Sequence, residues 1–296
     1  MPAIVETVDL KKSYAAVEAV RGINLRVPEH SICAFLGQNG AGKSTTLRML
    51  MGMIRPTSGT GRIFGLDIGS ERDSVRIRER VAFVAEDKRL YEYMSVAQIV
   101  RFTRSFFPRW RDDLEHSLLE RFDLPPDRKI RKLSKGMRTK LALLLAFSRG
   151  SDFLILDEPT EGLDPVSIEQ VLQIIVSLVA DGAAVFFSSH QIAEVDQIAD
   201  HVVMIDCGQI VLDCPMEKVK SEYRHVQAVF PAPMDERDFQ LTGIERVYSD
   251  GRIVSLIASR NVDAIVEQVR AMQGSNIEVA PLSLKEIFLE TVKGRR

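Results

Sequence analysis

The chain has 296 residues, 45% of them hydrophobic and 27% charged, a composition typical of a globular protein with one large core and room for a smaller second unit. Its formal net charge of −2 excludes the basic field that attracts proteins to nucleic acid or to acidic lipid surfaces. No apolar signal segment is expected at the start, and the longest apolar run, residues 141–147, is far shorter than the ~20 residues that cross a bilayer.

The first distinctive feature along the chain is a phosphate-binding loop between a predicted strand and a predicted helix. Its residues are Gly37, Gln38, Asn39, Gly40, Ala41, Gly42, Lys43 and Ser44, which fit the pattern G-x-x-x-x-G-K-[ST]. Residues 31–36 predict the strand, and Thr45 begins the helix-forming run. Backbone N–H groups of such a loop surround a polyphosphate; Lys43 is expected to reach the β- and γ-phosphates, and the Ser44 hydroxyl to ligate Mg²⁺. We therefore predict a nucleoside triphosphate site at residues 37–45.

Further along the chain, strand and helix patterns alternate. Residues 58–65 indicate a turn leading into a strand, and residues 91–132 indicate helix with polar and proline interruptions. Ser134 is a predicted N-cap for the helix that contains residues 141–147, and Asp164 followed by Pro165 predicts the start of the next helix. Strands separated by helices favour right-handed βαβ units and a mainly parallel sheet.

The pattern changes after Pro215, where the long apolar runs disappear. Strands are predicted at residues 226–230, 244–248, 252–258 and 277–280, and helices at residues 262–272 and 284–291. We therefore divide the chain into residues 1–220, with a helical subdomain at about 90–134, and a small α+β domain at residues 221–296.

Two acidic residues and a histidine follow predicted buried strands. Asp157 ends an apolar run and is expected at the carboxyl edge of the sheet, where it can hold Mg²⁺, usually through water. Glu158 comes next and can orient or activate a water beyond the γ-phosphate. His190 closes another apolar strand pattern and can hydrogen-bond the γ-phosphate. Without the phosphate loop, the acidic pair would indicate only a strand-ending turn, and the histidine a structural residue.

Four segments in this order resemble the nucleotide-binding subunit of an ABC transporter: the phosphate loop, residues 133–137 (Leu-Ser-Lys-Gly-Met), residues 157–164 (Asp-Glu-Pro-Thr-Glu-Gly-Leu-Asp) and Ser189-His190. The resemblance covers nearly the whole chain and is most specific between Tyr14 and His190. It implies an α/β fold with a P-loop NTPase core of the ABC ATPase type. That core would contain a mainly parallel sheet, an antiparallel β subdomain and a helical subdomain, with the small C-terminal α+β domain after it.

The resemblance also implies roles that the residues alone do not indicate. Ser134 and Gly136 match the positions that contact the γ-phosphate of ATP bound to a second, head-to-tail subunit. Tyr14 matches the aromatic residue that stacks on adenine, and Asp164 matches the aspartate that communicates across the dimer. The implied ligands are ATP and Mg²⁺, and Lys43 and Ser134 of one chain would serve different nucleotides.

Two departures from the family pattern concern residues near the nucleotide. The commonest family signature, Leu-Ser-Gly-Gly-Gln, has Lys135 and Met137 as replacements here, and Glu86 replaces the glutamine between the core and the helical subdomain. A carboxylate at Glu86 can still reach Mg²⁺ or a water, but it adds negative charge near a triphosphate. Both variations are similar to the bacterial branch whose membrane partners are of the ABC-2 type.

The resemblance implies an ATP-hydrolysing subunit that dimerises, with itself or with a sister subunit, around two Mg-ATP molecules. It would power transport, with export as the favoured direction, through separate integral membrane permease subunits, and would have no nucleic-acid partner. Its location would be cytoplasmic and peripheral, on the inner face of the cell membrane. The aromatic residues of the helical region either form its core or are exposed for the membrane partner; they are Phe102, Phe106, Phe107 and Trp110.

Two alternative classes differ in what their sequences require. A soluble ABC-type ATPase of DNA repair or translation needs a long coiled coil, or a second cassette with a basic linker, and this sequence shows neither pattern. A regulatory nucleotide-binding module needs no hydrolytic site, whereas Lys43, Glu158 and His190 are all present here. For a transporter subunit, the sequence does not identify the transported substance, because selectivity would lie in the permease.

Overall fold

The computed structural model describes residues 2–15 and 17–293, with side chains described as far as residue 289. The chain forms two compact units, Met1–Asp213 and Cys214–Arg296. The boundary expected after residue 220 falls inside a helix, Met216–Glu222, in which Met216 and Val219 are buried. The whole helix belongs to the second unit, so the composition change at Pro215 marks the division more closely.

Strands and helices alternate through the first unit. In chain order the strands are β1 (Ala3–Tyr14), β2 (Val17–Ile23), β3 (Arg26–Pro28), β4 (Ile32–Leu36), β5 (Ser58–Ile63), β6 (Leu66–Asp67), β7 (Val81–Val84), β8 (Phe153–Asp157), β9 (Ala184–Ser189), β10 (His201–Asp206) and β11 (Gln209–Pro215), the last of which crosses the boundary. The helices are α1 (Lys43–Leu50), α2 (Glu71–Arg80), α3 (Val96–Arg104), α4 (Asp112–Arg121), α5 (Lys135–Phe147), α6 (Pro165–Ala180) and α7 (Ile192–Ile198), with a 3₁₀ turn at Ile130–Lys132.

A six-stranded sheet, in the order β11-β10-β4-β9-β8-β7, forms the centre of the first unit. Strands β7, β8, β9, β4 and β10 run parallel to one another. Every residue of β4, β8 and β9 is buried, which is why these strands are nearly continuous apolar runs in the sequence rather than alternating patterns. The prediction of a mainly parallel sheet is confirmed.

A second, antiparallel sheet has the order β2-β1-β5-β6, with β3 also paired to β1. This is the antiparallel β subdomain that the resemblance implies. The segment expected to begin with a turn, residues 58–65, instead begins as strand at Ser58, and its turn comes after Ile63, at Phe64 and Gly65. Gly59 explains the difference, because it has a φ of +82° and a Cβ there would lie 2.1 Å from the Asp9 carbonyl oxygen. Glycine therefore serves close pairing of β5 with β1.

Helices α3 and α4 lie between β7 and β8 in the chain, within the region whose sequence indicates helix. Both predicted helix caps are confirmed. The Ser134 hydroxyl accepts the Met137 N–H at the start of α5 (3.1 Å), and the Asp164 carboxylate accepts the Ser167 N–H at the start of α6 (3.0 Å). In the described part of the chain, no helix is both long enough and apolar enough to cross a membrane.

The second unit is a small α+β arrangement, as expected. Its elements are α8 (Met216–Glu222), β12 (Arg224–Val229), a 3₁₀ turn (Glu236–Asp238), β13 (Ile244–Asp250), β14 (Ile253–Ala258), α9 (Val262–Ala271), β15 (Ser275–Pro281) and α10 (Leu284–Lys293). The strands form one antiparallel sheet in the order β13-β14-β12-β15. Ile265 and Val269 of α9 share a buried core with Val226 and Leu256 of the sheet. Every strand and helix predicted for this region is present, with ends that differ by a few residues.

Candidate functional site

Three neighbouring parallel strands end at one edge of the central sheet. Leu36, the last residue of β4, pairs with Ser189, the last residue of β9. Asp157, the last residue of β8, pairs with Ser188. Because the carboxyl ends of parallel strands lie together, the phosphate loop leaves the sheet beside the residues that follow β8 and β9. The sheet topology therefore places the phosphate loop next to the residues that follow β8 and β9, as the sequence predicts.

The backbone of the phosphate loop requires glycine at two positions. Gly40 and Gly42 have φ values of +81° and +111°, in the region that residues with side chains rarely adopt. A Cβ on Gly42 would also lie 2.6 Å from the Ala19 carbonyl oxygen. Gly42 is the N-cap of α1 and, lacking a side chain, supplies no capping hydrogen bond. The first N–H groups of α1 are thus available to an anion in the loop.

Lys43 is the first residue of α1, and only 6% of its side chain is exposed. Its ammonium group donates to the carbonyl oxygens of Gly37 (2.7 Å) and Gln38 (3.3 Å). It also lies 3.3 Å from Oε1 of Glu158. A buried cation requires such partners. Lys43 is therefore held between the loop and the carboxylate predicted to activate water.

A cavity of about 290 Å³ opens beside the loop, and we term it the phosphate cavity. It is lined by Ala19, Gln38, Asn39, Gly40, Gly42, Lys43, Ser44, Thr45, Glu86 and Glu158. Two residues of the predicted loop do not line it: Ala41 belongs to the buried core, and a Cβ on Gly37 would lie 2.5 Å from the Ile205 carbonyl oxygen. Most residues of the predicted loop thus share one cavity with Glu86 and Glu158.

Glu158 is 5% exposed, and its two carboxylate oxygens face different partners. Oε1 faces Lys43 as described, and Oε2 lies 2.9 Å from Nδ1 of His190. The His190 side chain remains 44% exposed. The φ of Glu158 is +47°, in the left-handed region. The structure therefore brings the two predicted catalytic residues into contact, with Lys43 on the other side of the carboxylate.

Asp157 is fully buried and has one satisfied carboxylate oxygen. Oδ1 accepts the Ser188 hydroxyl at 2.6 Å, whereas Oδ2 has no hydrogen-bond partner among the described residues. The Ser44 hydroxyl donates to Oε2 of Glu86 at 3.4 Å. Across the described ranges, no cluster of three or more His, Cys, Asp or Glu side chains could hold a metal ion unaided. These few hard oxygen donors fit Mg²⁺, which usually shares its ligand shell with phosphates and waters.

Sequence reasoning missed Ser188 and Lys88, which contact the main chain of Glu158. The Ser188 hydroxyl accepts the Glu158 N–H at 3.0 Å, and the Lys88 ammonium donates to the Glu158 carbonyl oxygen at 3.0 Å. Two serines at the end of an otherwise apolar strand were a signal for Ser188. No local pattern indicates the contact of Lys88, because the two residues are 70 positions apart.

Sequence reasoning also missed Glu194 on α7. Its buried carboxylate contacts the segments that contain Glu158 and His190. Its Oε2 accepts the hydroxyls of Thr160 (2.8 Å) and Ser189 (3.2 Å). Thr160 follows Glu158 closely, and Ser189 directly precedes His190. Burial raises the pKa of Glu194, because desolvation disfavours the charged form. Glu194 therefore connects the two segments that carry the predicted catalytic pair, Glu158 and His190.

Apart from Glu86 and Glu158, the predicted site residues outside the loop do not line the phosphate cavity of their own chain; they are Tyr14, Ser134, Gly136, Asp157, Asp164 and His190. Tyr14 is 47% exposed. Ser134 and Asp164 cap helices as described above. Gly136 lies close to the loop that follows Glu158, since a Cβ there would be 2.9 Å from the Gly162 carbonyl oxygen. A direct role for Tyr14, Ser134, Gly136 or Asp164 in nucleotide binding would thus need contacts outside this cavity.

Exposed aromatic rings contact one another in the helical region. The ring centres of Phe102 and Phe106 are 5.1 Å apart, and Tyr91 lies 5.7 Å from Phe102 and 5.9 Å from Tyr93. All four side chains are exposed, and we term them the aromatic cluster. Of the aromatic residues considered from the sequence, Phe102 and Phe106 are therefore surface residues rather than core.

Phe107 and Trp110 are differently placed. Phe107 packs under the guanidinium of Arg149, whose centre is 3.7 Å from the ring centre, and the Trp110 indole N–H donates to Glu115 at 2.7 Å. Phe107 and Arg149 help to line a groove of about 390 Å³, which we term the helical groove. Its lining also includes Arg48, Met53, Phe83, Lys88 and Leu90.

Known proteins are similar to this chain in the part that contains the phosphate loop and Glu158. Residues 20–161 match the family model described as ABC transporter. The daunorubicin/doxorubicin resistance ATP-binding protein DrrA of Streptomyces peucetius is 38% identical over 221 residues, which cover 73% of this chain and 67% of that protein. The bacitracin transport ATP-binding protein BcrA of Bacillus licheniformis is 29% identical over 314 residues, covering 99% of each chain.

A solved structure agrees with the fold. It is an ATP-binding cassette captured as a dimer in a post-hydrolysis state with ADP and Pi bound. Its TM-score is 0.65 at 20% sequence identity, and the match covers 72% of this chain and 98% of that one. At this identity the likeness concerns the fold, which is the P-loop ATPase core described above.

Proposed function

This chain belongs to the ABC transporter ATPase family, and on that premise we propose that it binds Mg-ATP at residues 37–45 and hydrolyses it to drive a separate membrane transport protein. The observation that supports this function most strongly is the contact of Glu158 with Lys43 on one side and His190 on the other. A module that only binds nucleotide does not need a carboxylate and a histidine in contact beside the phosphate-binding lysine.

The proposed reaction uses Lys43, Glu158 and His190 in different ways. The loop amides and Lys43 hold the β- and γ-phosphates while a water attacks the γ-phosphorus, the bond from that phosphorus to the β-phosphate oxygen breaks, and ADP is the leaving group. Glu158 orients that water and accepts its proton. With Nδ1 directed to Glu158, His190 has Nε2 for a γ-phosphate oxygen. These groups are held in place before the reaction, which is how fixed charges and dipoles stabilise a transition state.

Mg²⁺ fits the oxygen donors at this edge of the sheet. When bound, it would neutralise part of the negative charge of the β- and γ-phosphates. The Ser44 hydroxyl would hold it directly, Asp157 through water, and Glu86 is a further candidate. Oδ2 of Asp157 supports this assignment, because a buried carboxylate oxygen is normally satisfied by a ligand or a water.

We propose that two such subunits, either two copies or this chain and a sister subunit, close around two ATP molecules. Ser134 and Gly136 at the start of α5 would meet the γ-phosphate bound to the other subunit, and Asp164 would lie at the same interface. Tyr14 would stack on adenine. Two observations support the dimer: Ser134, Gly136 and Asp164 do not line the phosphate cavity of their own chain, and the related cassette was solved as a dimer.

The aromatic cluster and the helical groove are the proposed docking surface for the integral membrane permease. Contiguous exposed aromatic rings are unusual on a surface that binds nothing. Docking there would place the subunit, as a peripheral protein, on the inner face of the cell membrane. The drug-resistance and bacitracin-transport names of the two relatives support export as the direction of transport.

Two measurements test the proposal together. The purified chain should hydrolyse ATP only with Mg²⁺, and an integral membrane protein should co-purify with it from native membranes. Nucleotide binding without turnover would instead favour a regulatory module. Turnover without any membrane partner would favour a soluble ABC-type ATPase.

A further inference from the structure

The main chain of Glu158 is held at both ends by side chains. Its φ of +47° lies in a region that is unfavourable for a residue with a side chain, and such conformations persist only where the surroundings fix them. Ser188 accepts the Glu158 N–H, and Lys88 donates to the Glu158 carbonyl oxygen, each at 3.0 Å. The Glu161 N–H also approaches that oxygen, at 3.3 Å. Lys88 is the only charged group in this set.

This backbone conformation determines where the carboxylate points. Glu158 reaches Lys43 with one oxygen and His190 with the other, and both contacts depend on the direction of its Cα–Cβ bond. A return of Glu158 to an ordinary φ would redirect that bond and separate the carboxylate from both partners. The bond from Lys88 therefore bears on the orientation of the catalytic carboxylate without touching it.

Lys88 belongs to the same short segment as Glu86, the acidic replacement for the family's glutamine. Glu86 lines the phosphate cavity, where the Ser44 hydroxyl donates to it. Burial lowers the pKa of the half-buried Lys88 ammonium, and the charge of Lys135 acts in the same direction. The carboxylates of Glu161, Asp157 and Glu86 attract the ammonium and act in the opposite direction. A cation thus lies among the acids of a site that must accept a triphosphate.

We propose that Lys88 is a positioning residue for ATP hydrolysis. Its ammonium group fixes the main chain of Glu158 in the conformation that directs the carboxylate to Lys43 and His190, and its charge offsets that of Glu86. The inference rests on the proposed function, in which Glu158 activates the attacking water. On this proposal, Lys88 compensates the negative charge that Glu86 adds two residues earlier in the chain.

The decisive experiment is a double-mutant cycle in the full chain. Lys88→Met, Glu86→Gln and the double variant are compared with the wild type by the kcat and KM of Mg-ATP hydrolysis. We expect Lys88→Met to lower kcat about 10- to 100-fold, the effect of a misplaced catalytic group, and to change KM far less. In the Glu86→Gln background the same substitution should cost several-fold less, because the acid that Lys88 offsets is gone. Lys88→Arg, which keeps charge and donor, should recover part of the loss.

The matched control is Lys285→Met, the same substitution at an exposed position of α10. Circular dichroism and thermal unfolding establish that each variant is folded, and Lys88→Gln replaces Lys88→Met if the latter is not. A folded Lys88 variant with wild-type kcat would overturn the proposal. Equal losses in the wild-type and Glu86→Gln backgrounds would overturn the charge compensation. If the wild type itself hydrolyses no ATP, the proposed function fails instead, so the two failures are distinguishable.

Discussion

The Lys135 ammonium lies 2.6 Å from Oε1 of Glu161, and this ion pair joins the first turn of α5 to the loop that follows Glu158. The Thr139 hydroxyl also donates to the Glu161 carbonyl oxygen at 3.3 Å. Lys135 is one of the two departures from the family signature, so the replacement has a specific contact within the chain. The segment proposed to meet one nucleotide is thereby connected to the segment that carries Glu158, the proposed base for the other.

The Lys135–Glu161 pair predicts a pH-dependent contribution to stability. Lys135→Ala should reduce the free energy of unfolding by at most ~1 kcal/mol, because exposed ion pairs contribute little. The hydrogen bond from Lys135 holds the pKa of Glu161 below its usual 4.5. The contribution is therefore present above about pH 4.5 and is lost as the pH falls through the lowered pKa. Urea unfolding should separate the variant from the wild type at pH 7, and the separation should shrink as the pH falls below 4.5. A separation that does not change with pH would contradict the ion-pair assignment.

Replacing Lys43 should abolish ATP binding, measured by calorimetric titration. Lys43→Ala removes the buried cation of the loop and leaves Glu158 without its ion-pair partner. Removing one member of a buried pair costs about 3–5 kcal/mol, so the folded fraction must be measured as well. The double variant Lys43→Met with Glu158→Gln removes both charges, and it should regain most of the stability but no affinity. Wild-type affinity in folded Lys43→Ala would show that the loop does not hold the triphosphate.

Glu158→Gln should separate binding from turnover. The amide keeps the size of the side chain but cannot accept a proton, so kcat should fall by about 10²–10⁴ while nucleotide affinity is retained. Light scattering should then show a dimer that accumulates with Mg-ATP, because the γ-phosphate is not removed. Glu267→Gln, on the exposed surface of α9, is the matched control. A variant that stays monomeric with saturating Mg-ATP would count against closure around two nucleotides.

Glu194 predicts a second pH dependence, of opposite sign. Burial raises its pKa above the usual 4.5, so its stabilising contribution is complete below about pH 4.5 and declines as the pH rises through the raised value. Glu194→Gln keeps an acceptor for Thr160 and Ser189 without a charge to bury. Urea unfolding between pH 4 and pH 8 should therefore show the wild type losing stability relative to this variant. A constant difference across that range would refute the assignment.

A truncation at the same position should behave differently. Glu194→Ala leaves both buried hydroxyls without their acceptor and should be about 1–3 kcal/mol less stable than Glu194→Gln at every pH, because neither variant carries a charge there. Comparison of the alanine and glutamine variants therefore separates the hydrogen bonds of Glu194 from its charge.

Much of the site could be predicted from the sequence, because it depends on local patterns. The phosphate loop is one continuous motif, and Asp157 and His190 follow apolar runs long enough to be buried strands. The caps at Ser134 and Asp164 were equally local, since an N-cap bonds a backbone N–H only three positions away. The parallel sheet then places these strand ends together without any further information.

The contacts that orient Glu158 could not be predicted in this way. Lys88 and Ser188 reach its main chain from 70 and 30 positions away, and no local pattern indicates a positive φ at a glutamate. The glycines of residues 58–65 predicted a turn at the position where β5 begins. This prediction was wrong, because Gly59 serves close strand pairing rather than a turn. The roles of Ser134, Gly136 and Asp164 toward a second subunit stay predictions, since they depend on contacts between chains.

Lys88 has two different neighbourhoods: its side chain lines the helical groove, and its ammonium group bonds the carbonyl oxygen of Glu158. Linkage between two binding events is reciprocal in free energy. If a permease segment in the groove changes the strength of that hydrogen bond, it changes the free energy of nucleotide binding. Bound nucleotide must then change the free energy of permease binding by the same amount. Nucleotide binding and permease binding would then be coupled through a single hydrogen bond.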